Sequence, residues 1–177
     1  NNHLGVPLTL LRLEKKHRSA VIEIGANRAG EVAALAALAK PNIALITNAG
    51  AEHLEGFGDL EGVARAEGEI VASLGAQGVA VLNADDRYFG LWKGMTRGRV
   101  VSFGLGESAA VRAMDLQQSV DDGGFLSRFK LRSRSGTFLM VRALLPQLQR
   151  QGSGRILHMS SGAGIGAVPG LGLYSAS

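Results

Sequence analysis

The chain has no cysteine among its 177 residues, which excludes a disulfide framework and thiolate metal centres. Aromatic residues make up only 5%, and 19 Lys and Arg against 15 Asp and Glu leave a formal charge of just +4. A nucleic-acid surface needs more of both, a basic track for phosphates and rings on which bases stack. No apolar run approaches the ~18 residues of a membrane span. No basic-then-apolar leader opens the chain, so a reducing cytoplasm is the expected setting. With 46% hydrophobic and 19% charged residues the composition is that of a soluble globular protein, long enough for one ordinary domain or two small ones. What stands in excess is glycine, 25 residues.

From residue 20 to about 105, short β-branched runs alternate with helical stretches, which predicts an α/β class: a mostly parallel sheet with flanking helices. Residues 20–24, 42–47, 78–82 and 100–103 read as strands whose ends line one edge. Residues 29–40 form an Ala/Leu-rich helix stopped by Pro41, and 60–74 a helix with Asp59 as N-cap and Gly75 at its stop. Residues 125–134 alternate, with Phe129 and Leu131 on one side and Arg128, Lys130, Arg132 and Arg134 on the other. That is a half-exposed antiparallel strand, its basic row either a solvated edge that discourages aggregation or a phosphate contact. Past Gly136 the character changes: residues 137–149 read as a helix, 155–159 as a short strand, and 160–172 are dense in glycine. A boundary near Gly136 divides the chain into segments 1–136 and 137–177.

Three side chains stand out chemically. Glu23 interrupts an apolar strand, where a carboxylate needs a cation, an Arg or a helix end as partner. Glu67 shares a helical stripe with Val63, Ile70 and Leu74, so it points inward unless the helix is rotated to leave it at the margin, while Arg65 and Glu69 lie off that stripe on solvated positions. His53 lies in the loop after the second strand, at the edge where α/β sheets place their chemistry. Two carboxylates and an imidazole from three converging segments suit a hard divalent ion such as Mg²⁺ or Mn²⁺ serving a phosphate.

The stretches Asn1-Asn-His-Leu-Gly5, Val21-Ile-Glu-Ile-Gly-Ala-Asn27, Asn48-Ala-Gly-Ala-Glu-His53, Gly68-Glu-Ile70 and Val81-Leu-Asn-Ala-Asp-Asp86 closely resemble the central ATP-binding domain of the Mur ligases, over about residues 1–136. The resemblance implies a cytoplasmic enzyme of peptidoglycan precursor synthesis using ATP and Mg²⁺. The terminal carboxylate of a UDP-linked muramoyl tripeptide is phosphorylated, and the amine of D-alanyl-D-alanine attacks the acyl phosphate. By the same resemblance Glu23 and His53 match metal ligands, Asn48 lines the site, Asn83 and Asp86 fall near the nucleotide, and Asn2 opens a substrate-facing loop. Two departures are visible. Where the family carries a carbamylated lysine, this chain has Glu67, which brings its negative charge without modification. The phosphate-cradling Gly-x-x-Gly-Lys-Thr loop is also missing, for no Gly-Lys dipeptide occurs anywhere. The expectation is a piece of a ligase, inactive alone.

The tail resembles a different family. Gly154-Arg-Ile-Leu-His-Met-Ser-Ser161 and Tyr174-Ser-Ala-Ser177 resemble the middle of a short-chain dehydrogenase/reductase, a Rossmann-like α/β fragment. That resemblance implies an NAD or NADP cofactor, with Ser161 polarising a carbonyl and Tyr174 donating a proton. The matching lysine would be residue 178, and the family's asparagine is replaced by Ser133. Gly162-Ala-Gly-Ile-Gly166 imitates a dinucleotide loop, but Pro169 and its neighbouring glycines leave no long helix behind it. Three readings therefore stand: a ligase segment joined to a reductase segment, a diverged reductase, or a noncatalytic domain with a weak nucleotide or metal site.

Overall fold

The computed structural model describes residues 1–50, 54–121 and 124–141. Its elements run α1 (Gly5–Leu11), α2 (Glu31–Ala39), β1 (Ile43–Ile46), α3 (Leu54–Phe57), α4 (Leu60–Ala72), β2 (Val79–Asn83), α5 (Phe89–Met95), β3 (Arg99–Gly104), β4 (Val111–Asp121), β5 (Gly124–Ser133) and β6 (Gly136–Val141). The six strands form one sheet in sequential order. β1 to β4 pair in parallel, while β4, β5 and β6 pair antiparallel. Helix-bearing connections allow the parallel pairs β1–β2 and β2–β3, since a tight turn cannot join parallel neighbours. The expected α/β class with flanking helices is what the chain forms, on a mixed sheet whose first four strands are parallel.

Burial explains the strands. Ala44, Ile46, Ala80 and Leu82 have no exposed surface, while their alternate neighbours Ile43, Leu45, Val79 and Val81 are half-buried. One face of the sheet is thus packed and the other partly open, with a two-residue period. Asp59 caps α4 as expected, its Oδ1 accepting from Gly62 N at 2.7 Å. The helix ends at Ala72, with Ser73 rather than Gly75 closing it by donating its hydroxyl to Ile70 O at 2.7 Å. α2 stops where Lys40 turns left-handed (φ 48°), in front of Pro41, which cannot continue a helix.

Three expectations are corrected. Residues 20–24 are not a strand of the sheet. Ile22 and Ile24 are buried in the common core, but Gly25 N donates to Asn1 O at 2.7 Å. The segment shares with Asn42 and Ile43 the lining of a groove of about 250 Å³ beside the start of β1. Apolar burial extends a chain, but only a backbone partner makes it a strand. The basic strand is no edge, because β5 pairs with β4 on one side and β6 on the other. Its Arg128, Lys130 and Arg132 are exposed while Phe129 and Leu131 are half-buried, so the alternation itself holds. Residues 137–141 are β6, not the start of a helix: they lie in ladder register with β5, Thr137 opposite Arg132. The remainder of that expected helix, the 155–159 strand and the Rossmann-like fragment lie outside the described residues. Finally, α1, α3, α5 and β4 carry no counterpart among the elements expected from the sequence. β4 bulges between Met114 and Gln117, where Asp115 takes φ 54° and its carboxylate meets Lys130 Nζ at 2.7 Å.

Trp92 on α5 closes the core. It is fully buried, and its Nε1 donates to Ala64 O of α4 at 2.8 Å. Gly68 permits this approach, since a Cβ there would stand 2.5 Å from Met95 Sδ and 3.1 Å from Trp92 Cδ1. Replacing Trp92 by Ala removes the largest buried side chain and the bond that ties α5 to the Ala64 carbonyl of α4. Urea unfolding of Trp92→Ala is expected to show a loss of about 3–5 kcal/mol, a large part of a typical domain's stability.

Candidate functional site

The carboxyl ends of β1, β2 and β3 meet at one edge, and the stretch after β2 binds the other two together. Asn83 Nδ2 donates to Thr47 O at 2.8 Å, and its Oδ1 accepts from Asp85 N at 2.9 Å. Asp86 accepts from Ala49 N at 3.0 Å through Oδ2 and from Tyr88 N at 2.7 Å through Oδ1. Asn48 is exposed between the two residues so held. Asp85 reaches the other way, accepting from Leu105 N at 2.5 Å and Gly106 N at 3.0 Å. Gly104 and Gly106 must stay glycine for this, since a Cβ at either would come within 3 Å of the Asp85 carboxylate.

Asn48, Asn83 and Asp86, expected near a nucleotide, are therefore brought together. Asn83 and Asp86 act there as struts for the loop that presents Asn48. Asp85 was not singled out from the sequence. The signal was available: an Asp beside Asn at a strand end, ahead of glycines at a later strand end, is the composition of side chains that satisfy turn backbones.

Glu23 is half-buried, and Asn1 Nδ2 donates to its Oε2 at 3.4 Å. Asn1 was overlooked in the sequence. Asn2, expected to face substrate, is exposed, and its Oδ1 accepts from Leu4 N at 3.0 Å and Gly5 N at 3.2 Å, capping the first turn of α1. Glu67 is half-buried with Oε2 shielded from solvent, on a stripe whose Val63, Ile70 and Leu74 are 4%, 0% and 2% exposed. The inward phase read from the sequence holds. Glu69 is the correction: it is half-buried, and its carboxylate accepts from Gly30 N at 2.7 Å and Ala33 N at 2.9 Å at the start of α2. The helix brings it against a neighbouring helix end rather than into solvent.

His53, Ser161 and Tyr174 lie outside the described residues. Among the described residues no three His, Asp or Glu side chains are grouped to hold a metal ion. Glu23 and Glu67 offer carboxylate oxygens, the donor chemistry a hard divalent cation takes.

Residues 1–140 match the model of the Mur ligase middle domain. The chain belongs to that family. This Mur ligase middle domain is 38% identical over 146 residues to the UDP-N-acetylmuramoyl-tripeptide–D-alanyl-D-alanine ligase of Buchnera aphidicola, covering 82% of this chain and 31% of that one. It is 53% identical over 93 residues to the ligase of the same name from Haemophilus influenzae, covering 52% of this chain and 20% of that protein. Among solved structures, MurF of Acinetobacter baumannii superposes with a TM-score of 0.73 at 33% identity, over 80% of this chain and 30% of that one. MurF of Thermotoga maritima, solved with ADP, gives 0.67 at 25% identity, over 87% of this chain and 38% of that one. The Mur ligase middle domain thus spans about a fifth to two-fifths of the relatives it matches. Residues 104–177 also match the short chain dehydrogenase model.

Two outcomes follow from the carboxylate struts. Asp86→Ala leaves the N–H groups of Ala49 and Tyr88 without their acceptor and is expected to cost about 1–3 kcal/mol, read as a lower urea midpoint together with faster amide exchange at Ala49. The second concerns Glu31, held below its ordinary pKa of 4.5 first by the Asn27 N–H and then by Arg28. A lowered folded pKa means the contribution is complete above the unfolded value and disappears as pH falls through the folded one. Stability against pH should therefore fall less steeply on the acid side of pH 4.5 in Glu31→Gln than in the native chain.

Proposed function

We propose that this chain is the central, nucleotide-holding part of a ligase that joins D-alanyl-D-alanine to a UDP-linked muramoyl tripeptide with Mg²⁺ and ATP, in the cytoplasm. The observation that carries the reading is the strand edge where Asn83 and Asp86 clasp the residues on either side of Asn48, in a chain so similar to ligases of that name. Loops fixed at the carboxyl ends of parallel strands are where such sheets receive phosphates. Glu23, His53 and Glu67 are the residues that would hold Mg²⁺, Glu67 in place of the family's carbamylated lysine. When bound, the ion neutralises charge on the transferring phosphoryl group. The chain's own part is to hold ATP beside the tripeptide carboxylate: Asn48, Asn83 and Asp86 toward the nucleotide, and Asn2 at the mouth of the substrate loop. On this reading the boundary between ligase-like and reductase-like segments falls near residue 136, with residues 137–141 continuing the sheet as β6.

The nicotinamide reading draws less support. Both family models match residues 104–140, and most of that stretch belongs to β4–β6, hydrogen-bonded in series with β3.

Placing residues 1–136 in the matching stretch of the Haemophilus influenzae ligase tests the reading. The hybrid is expected to release phosphate only when ATP, Mg²⁺, the UDP-tripeptide and D-alanyl-D-alanine are all supplied. Glu67→Gln within it should raise the Mg²⁺ concentration for half-maximal rate about tenfold or more. A folded hybrid that binds the UDP-tripeptide normally yet releases no phosphate would overturn the proposal.

A further inference from the structure

The turn between the Glu23 segment and α2 is held from three directions. Glu69, on α4, spans its far end with both carboxylate oxygens, taking the N–H of Gly30 at 2.7 Å and of Ala33 at 2.9 Å. Glu31 takes the N–H of Asn27 at 2.8 Å and the Arg28 guanidinium at 3.0 Å. Gly56, in the helix that follows the His53 loop, lies so close to the Asn27 carbonyl that any Cβ there would overlap it. Gly30 itself sits at φ +87°, a conformation glycine adopts without strain. No side chain within its own sequence caps the start of α2. The cap comes instead from 36 and 39 residues away.

The positions along the chain give these contacts their consequence. Asn27 follows Glu23 by four residues, Glu69 follows Glu67 by two on the same helix, and Gly56 follows His53 by three. Glu23 therefore lies four residues along the chain from this turn, and Glu67 within one helical turn of the residue that holds it. A charge-assisted bond to each of two N–H groups resists sliding of α2 along α4 more than apolar packing does, because packing has no preferred register at the scale of one atom.

We propose that Glu69 is a positioning residue: by clamping Gly30 and Ala33 to α4 it sets where Glu23 and Gly56 stand relative to Glu67. The inference rests on the reading of Glu23, His53 and Glu67 as a metal site, but its structural half is testable without metal. The test is amide NMR on the full 177-residue chain, comparing Glu69→Ala and Glu69→Gln with Asp59→Ala, which removes the cap of α4 and weakens the fold without touching the turn. In Glu69→Ala, exchange at Gly30 and Ala33 should rise about tenfold, and the amides of Glu23 and Gly56 should shift. Glu69→Gln, keeping one acceptor oxygen, should fall between Glu69→Ala and the native chain. Shifts at Glu23 and Gly56 no larger than in Asp59→Ala would overturn the proposal and leave Glu69 a simple helix cap. Mn²⁺ alone is then added as a paramagnetic probe. In the native chain it should broaden the amides of Glu23 and Glu67, at about tenfold lower concentration than in Glu69→Ala. No broadening in the native chain would sink the metal reading, while the amide shifts still decide the positioning role.

Discussion

The constraint on which this structure turns is the backbone left unpaired where strands and helices end. A parallel sheet leaves loop N–H groups at its carboxyl edge, and every helix leaves its first N–H groups without partners. In this chain carboxylates supply the acceptors. Asp85 holds the loop after β3, Asp86 the loop after β1, Asp59 the start of α4, Glu31 the turn before α2, and Glu69 the start of α2 itself. Each carboxylate accepts from backbone N–H groups, a bond stronger than a neutral acceptor makes and weakened where the group is exposed. Much of the acidity near the candidate site is thus structural, and it ties down a loop-built edge.

Packing does the complementary part. The core joins α1, α2, α4 and α5 to the parallel strands, and its tightest joint is between α4 and α5, where Gly68 admits Met95 and Trp92. The helix that makes this joint also carries Glu67 and Glu69. A displacement of α4 would therefore disturb the core, the start of α2 and the expected ligand together. The antiparallel extension is built differently. Along residues 128–133 of β5 exposed and half-buried side chains alternate, and Arg112 of β4 stands opposite Arg132 in the ladder. Their repulsion is relieved because the Arg112 guanidinium turns to Leu105 O at 2.8 Å and Glu107 at 3.3 Å.

Family membership and physical reading agree where both speak, and the departures are informative. On the proposed reading Glu67 brings its negative charge on a shorter side chain than the family's modified lysine, which makes the register of α4 matter. Glu69, two residues on, is the group that the proposal assigns to that register. The same Gly-Glu-Ile run that served as a family signature in the sequence is, in the fold, a packing glycine, a clamp and a core isoleucine in succession.

What the sequence by itself determined was whatever depends on near neighbours. The two-residue alternation of β5, the 3.6-residue stripe that turns Glu67 inward, the Asp59 cap and the stop at Pro41 are all local, and all are present. The tertiary structure alone decided the partnerships. Residues 20–24 looked like a strand because Ile22 and Ile24 are buried, but whether a buried extended segment joins a ladder depends on what lies beside it. Residues 137–141 looked helical because Phe, Leu, Met and Val suit either state, and pairing with β5 chose strand. Glu69 looked solvated because helical phase locates a face but not what the face meets. Hydrogen-bond partners 30 to 40 residues apart leave no period in a sequence, and in this chain those partners assemble the edge where the candidate site lies.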